Sequence, residues 1–130
     1  MSDPVASPDL AARVRRALES GDLKAIEALL DPDVRWGPPG GSEWDCTSRR
    51  QVLEWWGTAR KAGARAEVTE VVMGDDTALV GLKVFGTDEA LRRGGPVERW
   101  QVLTLRDGLV TDIRGFDNRP TAASLAGVSG

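Results

Sequence analysis

The chain predicts an α+β domain, a cone-shaped, curved antiparallel sheet wrapped around about three N-terminal helices. Apolar residues recur at helical spacing as far as Ala59, then alternate at strand spacing from Ala66 to Phe116. The strand-like runs are joined by connections too short for crossovers, which implies an antiparallel meander with the helices segregated to one face. A chain of 130 residues is the size of one domain, expected at 7–125 between a disordered lead (1–6) and a frayed tail (126–130).

Ser7-Pro8 opens the first helix, serine as N-cap and proline at the first helical position, with Asp9 suited to the dipole. Leu10, Val14 and Leu18 form its apolar stripe, and Arg13, Arg15 and Arg16 its solvated side. Ser20-Gly21-Asp22 breaks it and starts a second helix burying Leu23, Ile26 and Leu30, which Asp31-Pro32 ends. A short strand at Asp33 to Trp36 stops at the rigid Gly37-Pro38-Pro39-Gly40-Gly41 rim. Ser48-x-x-Gln51 is a capping box for a third helix carrying Val52, Trp55, Trp56 and Ala59 and closing near Gly63. Four strands follow: Ala66 to Met73, Thr77 to Phe85, Val97 to Leu105 and Leu109 to Phe116. Gly74-Asp75-Asp76, the Gly-rich loop Gly86 to Gly95 and the Asp107-Gly108 turn connect them, and Pro120 onward adds a helical turn. An Asp-Gly pair between alternating runs is the strongest short-range hairpin signal.

Composition excludes more than it assigns. Net charge is -3 and the 17 Lys+Arg are scattered, so no basic stripe for nucleic acid exists. No apolar run approaches a membrane span and the N-terminus has no signal-peptide pattern, so a cytoplasmic location is expected. Without histidine, neither a Ser-His-Asp nor a Cys-His arrangement can be built. Cys46 alone rules out an internal disulfide and reads as a small buried hydrophobe. With no His cluster and no Gly-Lys-Ser/Thr phosphate loop, neither a metal nor a cofactor is expected.

Three segments, Leu29-Leu30-Asp31-Pro32-Asp33-Val34-Arg35-Trp36, Trp44-Asp45-Cys46-Thr47-Ser48-Arg49-Arg50-Gln51-Val52-Leu53 and Leu105-Arg106-Asp107-Gly108-Leu109-Val110, resemble the nuclear transport factor 2-like superfamily. Within it the chain is similar to the SnoaL-like, polyketide cyclase-like branch, from about Asp9 to Leu125. The resemblance implies a concave small-molecule pocket and a homodimer through the outer sheet face. It serves isomerases, cyclases, dehydratases and hydrolases, so it implies a fold more than a reaction. Ketosteroid isomerase relatives place a base Asp where this chain has Gly37-Pro38, and they use a Tyr that this chain lacks. Scytalone dehydratase-like chemistry needs His and Tyr. Limonene epoxide hydrolase-like members use Asp-Arg-Asp; here Arg99-x-Gln101 replaces Arg-x-Asp and Asp117 matches the last Asp. SnoaL-type cyclases use a late acid/base Asp, and Asp117 fits that role.

Asp117 and Arg99 are therefore the catalytic candidates, and Trp36, Trp55, Trp100, Gln101 and Glu98 the ligand-binding ones. Register decides among them. A three-residue connection puts Asp117 and Gly115 on the face of Arg99 and Gln101; a two-residue turn puts them with Glu98 and Trp100. Two readings stand: an acid/base isomerase, cyclase or hydrolase of an apolar molecule, or a non-catalytic binding or dimerisation module. Asp117 has a competing structural use where the chain leaves the sheet, and each Trp one as core.

Overall fold

The structure, a computed structural model, describes residues 8–20, 22–37 and 47–128. The expectations for Ser7, the 38–41 rim, Trp44, Asp45 and Cys46 lie outside those residues. Helices α1 (Pro8–Ser20) and α2 (Leu23–Glu27) precede strand β1 (Leu30–Gly37), and α3 (Arg49–Lys61) leads into β2 (Arg65–Met73) and β3 (Thr77–Phe85). Then come α4 (Asp88–Arg93), β4 (Val97–Arg106), β5 (Leu109–Phe116) and α5 (Arg119–Ala126). One curved sheet runs β1-β5-β4-β3-β2; β1 pairs with β5 in parallel and every other pair is antiparallel.

The main core lies on the concave face, where Val14, Leu18, Ile26 and Val52 of the helices meet Val68, Val80, Leu82, Leu103 and Ile113 of the sheet. The outer face is not bare. Ala122, Ala123 and Ala126 of α5 pack there on Leu79, Val102 and Phe116, so the helices are not confined to one face. Small side chains let α5 approach closely, and its start is fixed by Asn118, whose side chain accepts from Thr121 N at 3.0 Å. The helix end is held by Thr77 Oγ1, which donates to Ala126 O.

Other sequence expectations change as well. Leu23 of α2 is 39% exposed, on the cavity wall rather than in the core. Leu30 is buried as expected, but in β1 rather than α2; Asp31-Pro32 sits in this edge strand, where a missing N–H is tolerated, beside a register shift. Arg15 is not simply solvated. Edge strand β2 leaves backbone groups of Val68 unpaired, so Arg15 Nη1 donates to Val68 O at 3.1 Å while Val68 N donates to Glu19 at 3.4 Å.

A second shift in β2, between Val68 and Glu70, aims Glu70 at the outer face. Gly81 opposite leaves the room: a Cβ there would sit 2.6 Å from Thr69 Oγ1 and 3.0 Å from Glu70 Cγ. Arg119 of α5 meets Glu70 in a two-pronged pair, Nε to Oε2 at 2.8 Å and Nη2 to Oε1 at 3.0 Å. That guanidinium, with a smaller contribution from the Trp100 indole N–H, holds the Glu70 carboxyl below its ordinary 4.5 against a partial offset from burial. A depressed folded-state pKa stabilises the fold above 4.5, and the contribution disappears as pH falls through the lower folded value. Glu70→Gln is therefore expected to be less stable than the parent at pH 7 and to lose less of its stability on acidification toward pH 3, by urea titration. Equal acid sensitivity of the two proteins would remove Glu70 from the account.

Candidate functional site

The Asp107-Gly108 turn has both central residues at positive φ, 54° and 79°, the type I′ geometry whose twist suits a hairpin. It closes with Arg106 opposite Leu109, a two-residue connection. The register does not stay there. Thr104 pairs with Asp112 and Leu105 with Val110, so Thr111 is an extra residue, its hydroxyl donating to Thr104 O at 3.3 Å. Beyond this bulge Gln101 faces Gly115 and Trp100 faces Phe116. Carried one residue on, the register sets Asp117 opposite Arg99. A two-residue turn thus ends with the facing expected of a three-residue one.

On the concave face, above the packed helices, lies a cavity of about 580 Å³, within the range of small-molecule sites. All five strands contribute to its wall, from Trp36 on β1 to Ala66 on β2. Helix α3 closes one side with Trp55 and Trp56, whose rings meet Trp36 edge-on at centroid distances of 4.8 and 6.0 Å. Trp55 is 56% exposed, which puts it at the mouth rather than in the core.

Of the sequence candidates, Trp36, Trp55, Arg99, Gln101 and Asp117 line this cavity. Glu98 does not: it is exposed and pairs in register with Lys83, on the face opposite Arg99. Trp100 borders the cavity, yet it packs with the Leu79, Val102 and Phe116 cluster of the outer face and serves Glu70 there.

Among the described residues, Gln101 is the buried polar one, 8% exposed. Its side-chain amide has no hydrogen-bond partner among the described residues, yet no fully enclosed side-chain polar atom there is unpaired. The amide therefore opens into the cavity. An amide left without a partner in apolar surroundings costs free energy, which a ligand oxygen or N–H would offset. Arg99 is anchored: Nη2 donates to Glu89 of α4 and Nη1 to Glu98 O at 2.8 Å. Asp117 is exposed at the mouth and accepts from Asn118 Nδ2 at 3.2 Å. Where the chain leaves the sheet, the backbone N–H of Thr121 donates to Asn118 rather than to Asp117.

Glu89, Thr87, Arg60 and Arg65 also line the cavity and were not sequence candidates. The signal for the first two was present, since Thr87 followed by Asp88-Glu89 is a helix start inside what reads as a Gly-rich loop. Arg60 lies four residues after Trp56, on the same side of α3. Among the described residues, no group of three or more Cys, Asp or Glu could hold a metal, and no helix is long and apolar enough to cross a membrane.

Residues 11–113 match the model of the SnoaL-like domain. The chain belongs to this family. No curated protein matches it. Among solved structures, this SnoaL-like chain is similar to a proposed ketosteroid isomerase from Kribbella flavida, with TM-score 0.69 and 23% identity over 85% of this chain and 76% of that one. It is similar also to a proposed polyketide cyclase from Sinorhizobium meliloti, with TM-score 0.67 and 25% identity over 88% and 100%. A proposed SnoaL-like polyketide cyclase from Jannaschia sp. CCS1 gives TM-score 0.68 and 16% identity over 89% of each chain. These likenesses establish the cone fold.

Proposed function

We propose that this SnoaL-like chain binds a small, flat, largely apolar molecule carrying a carbonyl or hydroxyl, and carries out cofactor-free acid/base chemistry on it. The observation that carries this reading is the unpartnered Gln101 amide opening into an apolar cavity of about 580 Å³. In the proposed step the Asp117 carboxylate takes a proton from the carbon beside a substrate carbonyl. The charge that develops on the carbonyl oxygen is met by Gln101 N–H and the Arg99 guanidinium. Return of the proton to another carbon of an unsaturated ketone completes an isomerisation; attack of the carbanion on a second carbonyl carbon of the same molecule, whose oxygen then takes the proton back from Asp117, completes an aldol cyclisation. Neighbours named for isomerase and cyclase activity support the class of chemistry. The reading includes a homodimer and a cytoplasmic location.

Binding without turnover is the second reading. The engagement of Arg99 with Glu89 and the exposure of Asp117 to water favour it. The two separate in one assay, proton NMR of flat cyclic ketones such as the tetralones in D2O. Loss of the protons beside the carbonyl, faster with protein than without, is the expected result. Ketones that bind and keep those protons would establish the second reading in place of the first.

A further inference from the structure

The geometry points to an anion subsite at one end of the cavity, formed by Arg60 and Arg65, so that the ligand is an amphipathic anion: an apolar ring system ending in an acidic oxyanion group. The inference rests on the cavity being the ligand site. Arg60 comes from the last turn of α3 and Arg65 from the start of β2, and both line the cavity. Their described partners are neutral backbone carbonyls. Arg60 Nη2 donates to Ser20 O at 3.2 Å, and Arg65 Nη1 donates to Ala64 O at 2.8 Å and Arg60 O at 3.2 Å. Such bonds fix a guanidinium in place without cancelling its charge.

Among the described residues neither arginine has a carboxylate partner, whereas Arg35, Arg50, Arg93, Arg99 and Arg119 each have one. The acids of the cavity wall are placed elsewhere: Glu89 is taken by Arg99 and Arg93, and Asp117 stands at the end of β5. The last turn of α3 accounts for one cation through the helix dipole, and exposed Lys61, which does not line the cavity, would suffice for that. It does not account for two guanidinia beside an apolar cavity. On each, N–H donors remain for a ligand, Nε and Nη1 of Arg60 and Nε and Nη2 of Arg65. Arg60 follows Trp56 by four residues of α3, about 6 Å along the helix axis. A ring held by the tryptophans therefore places an attached acid group within reach.

A matched pair of fluorescent probes tests this: 1-anilinonaphthalene-8-sulfonate and N-phenyl-1-naphthylamine, the same rings with and without the anion. The parent protein is expected to bind the sulfonate more tightly, with an affinity that falls as salt is raised, while the amine is insensitive to salt. Arg60→Gln and Arg65→Gln, each confirmed as folded by circular dichroism, should each weaken the sulfonate by about tenfold and the amine by less than about twofold. Arg65→Lys, which keeps the charge, should retain most of the preference. Equal binding of the two probes by the parent, or a preference that survives in both Gln variants, overturns the anion subsite and leaves the small-molecule pocket standing. A parent that binds neither probe overturns both.

Discussion

Asparagine at position 117 is expected to slow the exchange of ketone protons by about 10²–10⁴-fold, the range for loss of a positioned acid/base, with affinity for the same ketone changed by less than about threefold. The substitution keeps the size of the side chain and an oxygen that can accept from Asn118, and removes the atom that can take a proton. Little structural penalty is expected, since the start of α5 depends on Asn118 and not on Asp117. Exchange in Asp117→Asn at the parent rate would leave the cavity without an acid or base in the proposed role. Weakened ketone binding with unchanged exchange of the bound molecule would make Asp117 a binding residue instead.

Gly86→Ala is expected to lose about 2–5 kcal/mol of stability, from backbone strain and overpacking together. Gly86 has φ +78°, and a Cβ there would sit 2.2 Å from Gly63 O and 2.9 Å from Gly63 C. Those atoms are backbone on the connection from α3 to β2 and have no rotamer to escape into. The contact lies beside Ala64, Arg65 and Thr87, all on the cavity wall, so an opened crossing would also deform the site. Gly94→Ala is the control. It has nearly the same φ, +76°, with nothing within 4 Å of the added carbon, and should lose only the backbone part, about 1 kcal/mol. Thermal unfolding by circular dichroism should place the Gly86 variant roughly 10 °C or more below the parent and well below the Gly94 variant. Equal midpoints for the two variants would show that the Gly63 contact carries no weight.

Where local chemistry decided, the sequence was readable. Val97 to Leu105 and Leu109 to Phe116 alternate cleanly around an Asp-Gly pair, and the strands and their I′ turn are where that pattern puts them. Ser48-x-x-Gln51 starts α3 as a capping box should, although the Gln51 side chain reaches back to Thr47 N, at 2.7 Å, one residue before the cap. What was not legible depends on distant partners. The bulge at Thr111, which sets Asp117 opposite Arg99, is a property of two strands pairing and leaves no mark in either alone. Pairing of β1 with β5 joins residues about 80 apart in the chain, as in Leu30 with Val110, and converts Leu30 from a helix position to a strand one. Trp100 shows the same limit: alternation places it on the face opposite Arg99 and Gln101, but only the three-dimensional register with Gly81 and Phe116 tells which face that is. Arg60 and Arg65 carry no sequence signal of their own, because the wall they complete is assembled from all five strands.

A ligand of this protein is expected in the cavity on the concave face, with the Gln101 amide at its wall. Titration of ¹⁵N-labelled protein with 2-naphthol, a flat apolar molecule with one oxygen, tests it through two sets of side-chain signals. The Gln101 NH₂ peaks and the Trp36, Trp55 and Trp56 indole N–H peaks are expected to shift, with Trp100 moving least and Gln101→Leu binding about tenfold more weakly. Shifts confined to Trp100 and α5, or a Gln101→Leu protein that binds as tightly as the parent, would contradict it.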